Sequence, residues 1–171
     1  TPSILIATLA KIRPTAMLSV PLIIEKIYRS SIVPTISKSK FLSYLDKHAK
    51  GLLYTMVGMK LKKTFGGRIG FFGIGGAKLD PEVEVFLKKA RFPYAIGYGL
   101  TETAPLICSA APRRTWPGTT GRPVKGIEVK LEDINPQTGE GEICVKGPNV
   151  MLGYYKDYER TESVLSQDGW F

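Results

Sequence analysis

Gly97-Tyr98-Gly99-Leu100-Thr101-Glu102-Thr103 follows directly on Phe92-Pro93-Tyr94-Ala95-Ile96. The apolar, aromatic run predicts a short buried strand. The heptapeptide then sets two glycines around one tyrosine, with a hydroxyl and a carboxylate immediately after. Glycine allows close backbone approach, and loops leaving the carboxyl ends of strands are where α/β proteins bind ligands. The residue types suit a magnesium-nucleotide: a ring to stack on a base, a hydroxyl for a phosphate oxygen, a carboxylate for the cation. A glycine-rich turn capped by threonine is the purely structural alternative, and spacing alone favours it.

Working outward, Ile69-Gly70-Phe71-Phe72-Gly73-Ile74 is apolar throughout, as expected of a central parallel strand. Gly75-Gly76-Ala77 follows it. Asp80-Pro81-Glu82 then opens a helix to Ala90, with an N-cap, a first-turn proline and an acid at the positive dipole end. Strand, glycine turn, helix, strand is a βαβ unit, so both glycine-bearing loops are expected to leave one edge of one sheet. Gly75 and Gly76, without side chains, would let a flat ring lie on the backbone.

Earlier in the chain, apolar spacing predicts a helix over Ser3–Ile12, a strand over Thr15–Val20 and a helix over Leu22–Tyr28 opened by Pro21. Ser30–Ser39, with Pro34, reads as a loop. Phe41–Phe65 reads as a helix interrupted at Gly51 or Gly58 and ended by Gly66-Gly67. His48 has no acid or nucleophile spaced to meet it and reads as a surface histidine.

After Arg113-Arg114-Thr115-Trp116-Pro117-Gly118 the texture changes. Trp116 reads as a loop aromatic packing a joint between subdomains, with an acyl-tunnel role as the alternative. Alternation in Ile127–Leu131 and Glu142–Lys146 marks half-buried antiparallel strands, and Asn135-Pro136-Gln137-Thr138-Gly139 joins them as a hairpin loop. Asp157–Leu165 reads as a short helix. The expected class is α/β, with a parallel-sheet subdomain over 1–112 followed by a small antiparallel subdomain over 113–171.

Three segments carry a resemblance. Tyr98-Gly99-Leu100-Thr101-Glu102 resembles the signature of the adenylate-forming, or AMP-binding, superfamily. Gly73-Ile74-Gly75-Gly76-Ala77-Lys78-Leu79 is similar to its adenine loop, and Gly139 through Tyr155 to another of its core motifs. Within the superfamily the chain looks like the long-chain fatty acid–CoA ligase branch; Val20-Pro21-Leu22 differs from that branch in having Leu22 where arginine is common. A peptide-synthetase adenylation domain and a non-catalytic nucleotide-binding homologue are the alternatives. The resemblance implies that the C-terminal subdomain is barrel-like, and that Gly147, Gly153, Tyr154 and Tyr155 shape a turn beside the nucleotide; structural packing accounts for these four residues equally well.

The resemblance also implies a two-step reaction: a carboxylate attacks the α-phosphate of magnesium-ATP to give an acyl-adenylate, and coenzyme A then takes the acyl group. Thr101 would donate to the α-phosphate and Glu102 would ligate Mg2+. Tyr98 would stack on adenine against Gly75, Gly76 and Ala77, while Gly97 and Gly99 would leave room for the acyl carbonyl. The family's phosphate loop, its ribose-binding aspartate and its C-terminal catalytic lysine have no counterpart in these residues. The stretch is therefore expected to be a middle slice of the large N-terminal domain, inactive by itself.

The totals fit. The chain of 171 residues, 43% hydrophobic, is long enough to bury a core. Thr1 at the start is expected to mark a piece of something longer. No apolar run reaches membrane-spanning length and no signal-peptide pattern appears, so a cytoplasmic, at most membrane-peripheral, placement is expected. Cys108 and Cys144 make no disulfide framework, and no Cys/His cluster has metal spacing. The net charge of +9 resides in residues 1–65, where eleven Lys and Arg face only Glu25 and Asp46. It reads as a solvated lysine-rich face; a nucleic-acid or anionic-membrane surface is the other reading, and the aromatic interleaving that base stacking needs is missing.

Overall fold

A computed structural model describes residues 8–171. They form two compact units: residues up to Gly97 with Ala110–Gly121, and Tyr98–Ser109 with Arg122–Phe171. The chain thus passes between units three times, whereas the sequence reading placed one boundary at 112/113.

The first unit is built on three parallel strands, β1 (Ala16–Ser19), β2 (Phe71–Ile74) and β3 (Tyr94–Tyr98), with β2 in the middle. Parallel neighbours need crossover connections, and the helices supply them. Helices α1 (Pro21–Ile27), α2 (Val33–Lys38), α3 (Lys40–His48) and α4 (Lys50–Thr64) connect β1 to β2, and α5 (Pro81–Lys89) connects β2 to β3. The register Gly73↔Ala95 and Ile74↔Ile96 brings the two strand ends out together. The core is aromatic: Phe72 is fully buried between Phe65 and Phe92, with ring centroids 5.0 and 5.4 Å away.

Local chemistry explains the element ends. Helix α4 stops in a Schellman turn: Gly67 N–H donates to Lys62 O, Gly66 N–H to Lys63 O, and both glycines have positive φ. Asp80 caps α5 by accepting from the amides of Glu82 and Val83, and it also pairs with Arg29. These ends follow the sequence expectation, but two other details do not.

Residues 30–38 are helical rather than a loop, and only Ser39 is extended, as the N-cap of α3. Pro34 falls in the first turn of α2, where its missing N–H costs nothing, and the preceding turn Tyr28–Ile32 is a π-helix. The long helix breaks at Ala49 (φ −146°, ψ 53°) instead of at Gly51 or Gly58. Gly58 lies inside α4 because an added Cβ would stand 2.1 Å from Ala90 O, so the helix needs glycine there for its packing on the end of α5. Of the expected N-terminal helix, residues 8–12 are helical and the rest lies outside the described residues.

On α3 and α4, Lys40, Lys47, Lys50, Lys60 and Lys63 are exposed. Aromatics do stand among them: Phe41 and Tyr44 are each 59% exposed, and the Tyr44 ring stacks on His48 at 4.6 Å. No helix among the described residues is long and apolar enough to cross a membrane. Trp116 is 74% exposed, with the Lys88 ammonium 5.7 Å from its ring.

The second unit is antiparallel. Strand β4 (Cys108–Ala110) pairs with β5 (Arg122–Pro123), and β6 (Glu128–Glu132) with β7 (Glu142–Lys146) over five positions from Glu128↔Lys146 to Glu132↔Glu142. Asn135 closes the hairpin by accepting at its side chain from the amides of Gln137 and Thr138. The β6–β7 pair stays a two-stranded ribbon and no barrel closes among the described residues. Its small core is Ile107, Cys108, Ile127 and Val145, and α6 (Tyr158–Val164) follows. Both cysteines are free and buried.

Candidate active site

In the first unit, the expected glycine loop leaves β2. Gly76 has φ +84°, a conformation other L-residues resist, and Gly76, Ala77 and Lys78 are exposed. Gly75 is crowded for a different reason: an added Cβ would meet Gly97 O at 3.2 Å, a tight contact. That distance ties the glycine loop to the end of β3, the shared strand edge that the βαβ pattern predicts. Leu79, buried behind the loop, anchors its return into α5.

In the second unit, Tyr98 to Ile107 form a tight loop closed by Ile107 N–H donating to Tyr98 O at 2.8 Å. Tyr98 is half-buried and packs on the Ile107–Val145 core, so part of its ring area is committed to the protein. Thr101–Thr103 make one 3₁₀ turn. Thr103 is fully buried and holds the turn: its hydroxyl accepts from Leu100 N and lies within hydrogen-bonding distance of the carbonyls of Leu100 and Pro105. Thr101 is exposed beside it.

Gly99 requires glycine whatever the loop binds. A Cβ there would lie 1.6 Å from Pro105 O and 3.0 Å from Ile107 N, so backbone packing alone accounts for the residue. Its expected role of leaving space for an acyl carbonyl is not needed to explain it.

Glu102 is half-buried and held on two sides. Its carbonyl accepts from Met151 N at 2.8 Å, and its Oε1 accepts from the Tyr154 hydroxyl at 2.9 Å. Its own backbone amide and the Tyr154 hydroxyl keep the carboxyl below the usual range, with Arg160 adding a smaller push, so it is an anion at neutral pH. Asn149 completes the brace, its amide donating to Thr103 O at 2.8 Å and Leu106 O at 3.0 Å. Sequence reasoning named Tyr154 only as a turn former and did not single out Asn149 or Met151. These contacts span 43 to 52 residues, a separation that no local pattern encodes.

The donor set suits magnesium shared with a phosphate. Mg2+ takes one or two protein carboxylates and fills the rest of its octahedron with water and phosphate oxygens. Glu102 offers one ionised carboxylate. No cluster of three or more His, Cys, Asp or Glu able to hold a metal occurs among the described residues.

The family model described as AMP-binding enzyme matches residues 1–155. The peroxisomal long chain acyl-CoA synthetase 6 of Arabidopsis thaliana is 34% identical over 97% of this chain and 27% of its own length. Long-chain-fatty-acid–CoA ligase 2 of Schizosaccharomyces pombe is 30% identical over 95% of this chain and 27% of its own length. The chain thus spans about a quarter of the length of the curated relatives it matches. Among solved structures, o-succinylbenzoate CoA synthetase from Bacillus subtilis superposes with a TM-score of 0.70 at 20% identity, over all of this chain and 30% of that one, which is a likeness of fold.

Proposed function

The chain belongs to the AMP-binding enzyme family, and from that premise we propose that it is the nucleotide-site segment of an ATP-dependent long-chain fatty acid–CoA ligase. The names of its curated relatives support the fatty-acid substrate over an amino acid for peptide synthesis. In the full-length protein, a fatty carboxylate attacks the α-phosphate of ATP, releasing pyrophosphate and leaving acyl-AMP; the thiol of coenzyme A then displaces AMP.

Two anions must meet in the first step, so the chain's contribution is positioning and charge neutralisation. Thr101, exposed at the head of the 3₁₀ turn, donates its hydroxyl to an α-phosphate oxygen. Glu102 is the protein ligand to magnesium, which supplies positive charge against the phosphates when bound. Gly75, Gly76 and Ala77 offer bare backbone to adenine, and Tyr98 the remaining face of its ring. Gly97 and Gly99 keep the strand end narrow beside the acyl carbonyl. The 171 residues alone, a quarter of the relatives' length, are inactive on this reading.

The observation that carries the proposal is the fixed, ionised Glu102 in a loop whose neighbours are locked by Thr103 and Asn149. Its test is Glu102→Ala in the full-length protein, assayed by ATP–pyrophosphate exchange with a long-chain fatty acid. Loss of a metal ligand should cut exchange about 100-fold or more while the unfolding midpoint holds. Exchange within twofold of the parent would reject the assignment.

A further inference from the structure

The segment after β7 does more than turn the chain. Within the second unit it meets the Thr101–Leu106 loop at four points: Asn149 on the carbonyls of Thr103 and Leu106, Met151 N–H on the Glu102 carbonyl, and the Tyr154 hydroxyl on Glu102 Oε1. Three of these hold the backbone of the loop. The fourth holds the functional side chain itself.

Tyr154 is in turn fixed from several directions. Its backbone N–H donates to Thr161 Oγ1 at 2.9 Å, and that hydroxyl donates to Asp157 O at 2.7 Å, tying the tyrosine to the start of α6. The Arg160 guanidinium lies 4.4 Å from the centre of its ring, a cation–π contact. Gly153, at φ +146° and with no room for a Cβ beside Thr161, supplies the bend that delivers the ring. A phenol has few rotors, and one with its backbone tied and a guanidinium over its ring is a low-entropy hydrogen-bond donor.

We infer that Tyr154 is a positioning residue for the Glu102 carboxylate, its hydroxyl fixing one oxygen so that the group meets magnesium-nucleotide in a single rotamer. The inference rests on the reading of Glu102 as the magnesium ligand. A freely rotating glutamate loses rotamer freedom on ligation, and a donor that fixes it beforehand removes part of that loss. Tyr154 touches neither nucleotide nor acid in this role, so it tunes cation affinity and leaves the chemistry alone.

The experiment uses the full-length protein with a non-hydrolysable ATP analogue, following Mn2+ in place of Mg2+ by electron paramagnetic resonance. Tyr154→Phe removes only the hydroxyl and keeps the ring and its Arg160 contact. It should weaken Mn2+ binding to the nucleotide complex about 10-fold or more. The Mg2+ concentration giving half-maximal pyrophosphate exchange should rise in proportion, with the rate at saturating Mg2+ falling far less than in Glu102→Ala. Mn2+ affinity within twofold of the parent in Tyr154→Phe, with Glu102→Ala weakened, would overturn the role of Tyr154 alone. Unchanged affinity in both variants would overturn the magnesium reading of Glu102 and this inference with it. A lowered unfolding midpoint in Tyr154→Phe without a change in Mn2+ affinity would mark the hydroxyl as structural and also refute the inference.

Discussion

Replacing Gly99 by alanine separates two accounts of why the loop has a glycine there. An ideal Cβ at this position would lie 1.6 Å from Pro105 O, 2.7 Å from Pro105 C and 3.0 Å from Ile107 N. Ordinary contact would need the carbonyl to retreat by more than 1.5 Å, and the obstacle is proline backbone, which has no rotamer to yield. The retreat would strain the Ile107 N–H···O Tyr98 bond that closes the loop and the Thr103 hydroxyl contact with Pro105 O. Overpacking of this kind costs about 1–3 kcal/mol, and one lost backbone hydrogen bond about 1 kcal/mol, so Gly99→Ala should destabilise the unit by about 2–4 kcal/mol. The measurements are urea unfolding of the full-length protein and pyrophosphate exchange with fatty acids of several chain lengths. Backbone packing predicts a lower unfolding midpoint and a rate loss shared by all acids, since a displacement near 1 Å can cost about 100-fold. An unchanged midpoint, with the loss confined to KM for the acid, would refute the packing account and restore substrate space as the reason for the glycine.

Two further outcomes follow from burial. Gly58→Ala should lower stability by about 1–3 kcal/mol, although alanine is the better helix former, because its Cβ would stand 2.1 Å from Ala90 O; a neutral or stabilised variant in thermal unfolding would show that α4 and α5 can separate cheaply. Burial pushes the Cys108 and Cys144 thiols up, which leaves less thiolate at neutral pH in the folded protein than in the unfolded chain. Both should therefore label slowly with a thiol reagent at pH 7.5 under native conditions and quickly in denaturant. Rapid native labelling at either position would contradict its buried placement.

Much of this protein was legible in order along the chain. The βαβ unit around Gly75-Gly76 and Gly97 can be read because each cue is local: an apolar run, glycines at its end, then Asp80-Pro81 opening a helix. The Schellman end of α4 at Gly66-Gly67 and the Asn135 hairpin are local for the same reason. The helical state of residues 30–38 is not legible, since Pro34 carries opposite meanings at the first turn of a helix and inside a loop. What tertiary structure alone decided is how the functional carboxylate is held. Tyr154, Asn149 and Met151 N–H reach Thr101–Leu106 across more than forty residues. A hydrogen bond over that distance leaves no periodicity, because the chain between its ends is free to vary so long as it returns to the same place. The sequence carries the residue types that chemistry needs; the folded chain determines which oxygen of Glu102 is already engaged, and by whom.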